Sequence, residues 1–157
     1  MNLLNIFSSR QHSIIFVDAR ISLYEAATIN LKPNTEIVFI DLEQDGIKQI
    51  TQTLANKRSI QRLQIVGLRN GNKTSLQLGL AQFDARTFEA YTEDLSQWRK
   101  ALSASSEIIL YGLDVISEPM LYKFMQQLAT ITGANVGAFI SFADVPKSLD
   151  RDPLINA

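Results

Sequence analysis

Short apolar runs alternate with amphipathic segments along the whole chain. Five runs are continuously apolar for most of their length, which is typical of parallel strands that are covered on both faces. These predicted strands are residues 13–18, 35–41, 62–68, 106–113 and 135–140. Because strands alternate with helices, we expect parallel βαβ units with right-handed crossovers. The fold class is therefore predicted to be a three-layer α/β/α sandwich, with a mostly parallel, doubly wound sheet of about five core strands plus a short hairpin or edge strand.

The segments between the predicted strands carry helix signals. Ser22 and Glu25 form a capping box, and a second helix is expected from Asp45. The strongest helical periodicity is the apolar stripe Phe88, Tyr91, Leu95, Trp98 and Leu102. A last helix is expected between Ser117, a good N-cap, and Gly133, which would stop it.

The remaining segments are predicted from composition and alternation. Residues 69–73 have the composition of a loop, and residues 75–80 alternate as an exposed strand or hairpin arm would. A length of 157 residues suits one domain. We expect an N-terminal extension over 1–12, a single α/β domain over 13–143 and a loosely ordered tail over 144–157.

Composition narrows the chemistry. The chain has no cysteine and one histidine, so it has neither thiolate metal sites nor two-histidine metal motifs. A net charge of −1 argues against nucleic acid as a partner, and no apolar run is long enough for membrane insertion. The start of the chain is a poor signal peptide, so we expect a cytoplasmic location by default and leave signal-independent export open. No cofactor is expected.

In a parallel sheet the carboxyl ends of the strands lie along one edge, where ligands usually bind. The predicted residues there are Asp18, Asp41, Leu68, Arg69, Asn70, Leu113, Asp114 and Ser141. Asp18 and Asp41 could hold a cation as in phosphoryl-transfer receivers, but an acidic acceptor is missing after the third strand. We favour the interpretation that these aspartates cap the turns after their strands.

Four further features have structural interpretations. The run DLEQDG (41–46) resembles the start of a calcium loop, but position 12 would be Gln52 and a helix pattern begins within it. Residues 69–73 lack the spacing of a phosphate loop. Trp98 follows the helix period and is expected in the core. His12 is expected on the surface at the amino ends of the strands.

The order of the segments resembles the bacterial DUF4347 domains over about residues 13–140. The pieces that carry the resemblance are SIIFVDAR, NTEIVFIDLEQDGIKQITQTLA, TSLQLG, EDLSQWRKAL, IILYG and LATITGANVGA. This resemblance implies a caspase-like cysteine-peptidase fold. Typical members carry Ser-His-Gly after the third strand and Tyr-Gly-Cys-Asn after the fourth, and in that fold the histidine and cysteine form the catalytic dyad.

The sequence departs from the family pattern at both catalytic positions. Leu68 falls where the histidine would be, and Leu113 falls where the cysteine would be. Leucine can neither attack a carbonyl nor accept a proton, so the resemblance implies a pseudo-enzyme. We expect a protein-binding, scaffold or assembly module with a protein partner, and a homo-oligomer is compatible with it.

Two further possibilities follow from the same residues. An apolar cleft rimmed by Asp18, Arg69 and Asp114 would hold a peptide, or it would be filled by the chain's own loops. Strand addition at residues 75–80 is another route to a partner. The alternative function is a metal-dependent enzyme or ligand-binding domain that uses Asp18, Asp41 and Asp114.

Overall fold

A computed structural model describes residues 12–21, 34–69, 74–114 and 118–140. The strands are β1 (His12–Asp18), β2 (Thr35–Ile40), β3 (Ile60–Val66), β4 (Leu68–Arg69), β5 (Leu76–Leu78), β6 (Ala81–Phe83), β7 (Leu102–Tyr111) and β8 (Asn135–Phe139). The helices are α1 (Gly46–Leu54), α2 (Thr92–Ala101) and α3 (Met120–Thr132), and a 3-10 turn at Phe88–Tyr91 precedes α2.

Five strands form one parallel sheet in the order β2-β1-β3-β7-β8. The chain moves from β1 to β2 in one direction and then passes to β3 on the other side of β1. This reversal is the mark of a doubly wound sheet, and it creates a switch point between β1 and β3. Together with the helices packed on it, the sheet confirms the predicted α/β sandwich.

The two faces of the sheet support different parts of the core. Side chains alternate between faces along each strand. One face carries a large cluster that includes Phe16, Leu63 and Leu110 and packs on α1, α2 and α3. The three crossovers from β2 to β8 run in the same direction, so right-handed connections place these helices on one side. The other face carries a smaller cluster with Ile15, Val17 and Ile109 among its members.

The helix ends follow local capping chemistry. Asp45 caps α1, because its Oδ1 accepts the N–H of Lys48 at 3.0 Å. Gly133 ends α3 with a left-handed φ of 75°, as predicted. The longest described helix has 13 residues, and no helix in the described ranges is long and apolar enough to cross a membrane.

Some predicted elements fall on residues that the structure does not describe. The helix predicted at Ser22 and Glu25 is one of these, and Ser117, Asn70 and Ser141 also lie outside the described residues. Most of the predicted N-terminal extension and the whole predicted tail over 144–157 do so as well.

Four predicted boundaries are wrong. The last helix has Pro119 rather than Ser117 at its N-cap, because its first helical residue is Met120. The apolar stripe does not form one helix, because its first turn is the 3-10 segment and Leu102 already belongs to β7. Strand β7 consequently starts four residues before the predicted 106. The third strand ends at Val66, and Leu68 and Arg69 form β4 in a separate sheet.

The second sheet is small and antiparallel, with the order β4-β5-β6. Residues 75–80 do form a hairpin arm, but the predicted exposure is wrong. β5 is the central strand of the three, and Leu76 and Leu78 are fully buried. Strand addition at β5 is therefore blocked by β4 on one side and β6 on the other.

Candidate functional site at the carboxyl ends of the strands

Strand β5 lies across the carboxyl ends of β3 and β7. Gly67 follows β3, and a methyl group at this glycine would stand 3.0 Å from Cβ of Leu76 and 3.0 Å from Cδ2 of Leu78. Gly112 follows β7, and a methyl group there would stand 2.7 Å from Cδ2 of Leu76. Gly112 also has a φ of 119°, which side chains rarely allow. The two glycines therefore let β5 rest directly on the strand ends.

Asp18 attaches the β5–β6 turn to the carboxyl end of β1. Its side chain is fully buried, and its Oδ2 accepts the backbone N–H of Gly79 at 2.7 Å. Arg20 forms a bidentate pair with the same carboxylate, from Nε to Oδ1 at 2.8 Å and from Nη2 to Oδ2 at 2.7 Å. The Nη2 group of Arg20 also donates to the carbonyl of Gly79 at 3.1 Å. The switch point between β1 and β3 is thus covered by the chain's own turn.

Electrostatics favour the charged form of Asp18. Burial alone would raise the pKa of this carboxyl group, but hydrogen bonds from the Arg20 side chain and from the backbone N–H groups of Gly79 and Arg20 outweigh burial. The pKa of Asp18 is therefore lowered from its ordinary value of 3.8. An ionised carboxylate with these donors is a structural anchor for the turn.

Asp41 stabilises a different turn and does not pair with Asp18. Its Oδ1 accepts the N–H of Glu43 at 2.9 Å, while its backbone N–H and C=O bond to the side-chain amide of Gln49. Gly79 stands between the two aspartates, since a methyl group on Gly79 would lie 2.7 Å from the carbonyl oxygen of Asp41. The interpretation of both aspartates as turn caps is confirmed.

The two leucines at the family's dyad positions belong to different clusters. Leu113 has 0% of its surface exposed and sits in the large cluster, with its N–H donating to the carbonyl of Phe139 at 3.2 Å. Leu68 is half-buried against the smaller cluster and pairs with Gln77 across β4 and β5. Leu113 is therefore covered, whereas Leu68 keeps part of its surface exposed.

Asp114 and Arg69, the other predicted edge residues in the described ranges, have contacts of their own. Asp114 is buried, and its carbonyl accepts the N–H of Glu118 at 3.2 Å. Arg69 is exposed, and its Cγ passes over Gly112. Across the described ranges, no three histidine, aspartate or glutamate side chains are grouped so that they could hold a metal ion.

The chain as a whole matches one family. The family model of a domain of unknown function, DUF4347, covers residues 14–141, which is most of the chain. The chain belongs to the DUF4347 family. Neither a curated protein nor a solved structure matches it. The match confirms the family resemblance found in the sequence.

The outer surface of this DUF4347 domain carries exposed apolar side chains beside the covered edge. Leu80, at the β5–β6 turn, is 67% exposed, and Met120, at the start of α3, is 63% exposed. Leu42 is also exposed and lies in the loop whose Gln44 carbonyl accepts the N–H of Leu80 at 2.9 Å. Leu42 and Leu80 therefore lie together at the turn end of the small sheet, whereas Met120 lies apart from them on α3.

An open groove of about 280 Å³ lies at the far end of the small sheet. It is lined by Thr74, Asp84, Ala85, Arg86, Met120 and Leu121. The Asp84 carboxylate is already used there, because it accepts hydrogen bonds from Ser75 Oγ at 2.9 Å and from the N–H groups of Arg86 and Thr87. A molecule in the groove would therefore contact apolar side chains rather than the Asp84 carboxylate.

Sequence reasoning missed the residues that close the site. Arg20 and Gly79 received no role, and Leu76 was expected on an exposed strand. The spacing of Asp18 and Arg20 was a usable signal, because residues two apart after a strand can pair across a tight turn. Gly79 also interrupts the apolar alternation of 75–80, which is typical of a turn.

Three further interpretations from the sequence agree with the structure. His12 is the first residue of β1, at the edge opposite the covered one, and it lies 3.9 Å from a carboxylate oxygen of Glu36. Trp98 is fully buried, and its Nε1 donates to Thr51 Oγ1 at 2.9 Å. In the DLEQDG run, α1 begins at Gly46, where a calcium loop would have continued.

Proposed function

We propose that this DUF4347 domain is a non-catalytic, caspase-like module that binds a protein partner. The observation that carries the proposal is the complete burial of Leu113 in the large cluster. A cysteine peptidase needs a thiolate with a neighbouring base at an accessible strand end. At this position the chain places a leucine that has no reactive atom and no access to substrate.

The binding role rests on the outer surface. Leu42 and Leu80 expose large apolar side chains at the turn end of the small sheet, and Met120 exposes one at the groove at the other end. Exposed apolar side chains that lie together commonly mark sites of protein contact. Arg20 adds a partly exposed guanidinium next to this surface. Because Asp18 already neutralises this guanidinium, the partner chemistry that fits the surface is an apolar side chain.

The alternative, a metal-dependent enzyme or ligand-binding domain that uses three aspartates, has less support. Asp18 is surrounded by four N–H donors, and Asp41 caps a separate turn. A donor-rich shell stabilises a carboxylate without a metal ion. We therefore make metal dependence an outcome of a test rather than a second proposal.

Thiol access tests the closed site directly, because the chain has no cysteine of its own. Leu113→Cys should react with an aromatic disulfide reagent at least about a hundredfold more slowly than Leu80→Cys, since a buried thiol must wait for an opening of the fold. Equal labelling rates in two variants with native circular dichroism would contradict a closed site.

Partner capture tests the binding role. The tagged wild-type chain should retain a specific protein from its native host, and the Leu80→Lys/Met120→Lys variant should lose it. Gln82→Ala, at an exposed position on β6, serves as the matched control and should retain the partner. Capture that is indifferent to the lysine pair, or hydrolysis of a peptide library by the wild-type chain, would count against the proposal.

A further inference from the structure

Strand β2 is an edge strand whose outer side is open at two positions. The carbonyls of Asn34 and Ile40 accept the N–H groups of Ser13 and Ala19 on the β1 side. Because backbone groups alternate along a strand, the N–H and C=O groups of Thr35, Ile37 and Phe39 point away from β1. The outer edge is therefore formed by the odd-numbered residues of β2.

Both ends of this edge are already engaged. The side-chain amide of Gln49 bonds to the backbone of Asp41 as a neighbouring strand would. The Asp41 N–H donates to Oε1 of Gln49 at 2.8 Å, and Nε2 of Gln49 donates to the Asp41 carbonyl at 3.1 Å. Thr35 already has an interaction partner. Across the described residues, no group bonds to the outward N–H or C=O of Ile37 or Phe39. Two adjacent ladder positions thus stay open between two closed ones.

The open positions also expose their side chains. Ile37 is 48% exposed and Phe39 is 44% exposed, and the two side chains point to the same face of the sheet. Edge strands that avoid association usually carry lysine, proline or an inward charge. The only charged residue of β2 is Glu36, whose carboxylate is bound by Nζ of Lys57 at 2.7 Å. This edge lacks the usual protection against pairing.

We propose that β2 pairs antiparallel with β2 of a second copy of this chain, centred on Val38. In that register Ile37 of each copy faces Phe39 of the other. Both are hydrogen-bonded pairs, in which the two residues exchange two backbone hydrogen bonds. The outward N–H and C=O groups of Ile37 and Phe39 therefore all have partners in both copies. The result is a two-fold dimer in which the two five-stranded sheets continue into one.

The symmetry of the dimer supports this register. A two-fold axis perpendicular to a sheet keeps the same face up in both copies, so facing side chains must come from the same face. The pairing of Ile37 with Phe39 meets this condition, and an aromatic residue opposite a β-branched one is a favourable cross-strand pair. The two open positions of one copy are therefore complementary to the same two positions of another.

The dimer edge differs from the surface used in the proposed function. The outer edge of β2 runs along the side of the sheet, whereas Leu80 and Met120 lie at the carboxyl edge and at the start of α3. The lysine variants of the partner-capture test therefore leave the β2 edge unchanged, so the two proposals are tested separately.

A single cysteine tests the register. Val38 faces Val38 of the second copy as a non-hydrogen-bonded pair, where Cα atoms are about 4.5 Å apart and a disulfide can form. The cysteine-free chain makes Val38→Cys the only thiol. With diamide as oxidant, Val38→Cys should form a covalent dimer under native conditions. Tyr122→Cys, exposed on α3, is the control and should stay largely monomeric.

Charge pairs test the same register by sedimentation equilibrium of the full chain. Ile37→Lys/Phe39→Lys places lysines opposite lysines in both pairs and should weaken dimerisation at least about tenfold. Ile37→Lys/Phe39→Glu places each new lysine opposite a new glutamate and should recover most of that loss. Thermal unfolding of both variants should stay close to wild type, because both side chains are already half-exposed.

Each result decides the proposal. Rapid cross-linking of Val38→Cys together with dissociation by the lysine pair and recovery by the mixed pair supports it. A wild-type chain that remains monomeric at roughly 0.5 mM overturns it, since that concentration would populate even a weak specific dimer. A dimer whose dissociation constant ignores the lysine pair also overturns it, because it must use another surface.

Discussion

Asp18 shows how a carboxylate at a strand end becomes part of the fold. In an open α/β sheet this position commonly faces a ligand. Here the carboxylate accepts hydrogen bonds from Arg20, two residues further along the chain, and from the backbone N–H of Gly79 in the β5–β6 turn. The Asp18 carboxylate, whose charge would attract a cation, instead binds the β5–β6 turn, and this turn occupies the place where a cation would bind.

Replacing Asp18 with asparagine should destabilise the domain by about 2 kcal/mol, since an amide offers one acceptor where a carboxylate served four N–H donors. The partial exposure of Arg20 keeps this below the cost of breaking a fully buried pair. Urea unfolding at pH 7 measures the loss. Asp41→Asn, at an exposed turn, is the matched control and should cost at most about 0.5 kcal/mol. Equal losses in the two variants would contradict the anchoring role.

The lowered pKa of Asp18 adds a pH dependence with a definite sign. A carboxyl group whose pKa is lower in the folded chain stabilises the fold above its ordinary value of 3.8, and this contribution disappears as pH falls through the folded value. The difference in free energy of unfolding between wild type and Asp18→Asn should therefore be constant at neutral pH and shrink below about pH 4. Urea unfolding between pH 7 and pH 3 measures it, and a difference that grows on acidification would contradict the assignment.

Among the elements, β5 is the strand that covers the carboxyl ends of β3 and β7. Leu76 and Leu78 extend the large cluster over Gly67 and Gly112, so the ends of β3 and β7 are buried as the rest of the core is. The β5–β6 turn then reaches the loop before α1, where Asp45 and Gly79 form an isolated antiparallel bridge. The β5–β6 turn and the loop before α1, which are distant in sequence, thus lie together at the carboxyl edge of the sheet.

Leu76→Ala should destabilise the domain by about 3 kcal/mol, because it removes a fully buried side chain between two strand ends and leaves a cavity. Gln82→Ala on the exposed side of neighbouring β6 should change stability by less than about 0.5 kcal/mol. Thermal unfolding compares the two. A loss below about 1 kcal/mol for Leu76→Ala would mean that β5 is a loosely attached flap rather than part of the core.

The sequence predicted the elements of the main sheet well, because their identity is local. Continuous apolar runs and the caps at Asp45 and Gly133 determine strands and helix ends within a few residues. The burial of Leu76 and the change from helix to strand at Leu102 depend on what packs against them. The same alternation in 75–80 fits an exposed arm and a covered one, so the pattern alone does not distinguish them.

In the whole molecule, the strand order determines the position of both the switch point beside Asp18 and the edge strand β2. The order β2-β1-β3-β7-β8 puts the switch point beside Asp18, where the small sheet covers it, and leaves β2 at an open edge. A fold of this kind usually offers its switch point to ligands and protects its edges. In this DUF4347 domain the switch point is closed and the edge strand has two open positions.

Divalent metals distinguish this arrangement from the metal-dependent alternative. A cation that bound the folded state with a dissociation constant near 50 μM would, at about 5 mM, add close to 3 kcal/mol of stability, which for a chain of this size raises Tm by more than about 5 °C. We expect Mg²⁺ and Ca²⁺ each to move Tm by less than about 1 °C relative to EDTA. The reason is that the Asp18 carboxylate already has the guanidinium of Arg20 as its cation, at 2.7 Å. A larger shift that disappears in Asp18→Asn would return the metal alternative to first place, because only a cation that displaces Arg20 could produce both results.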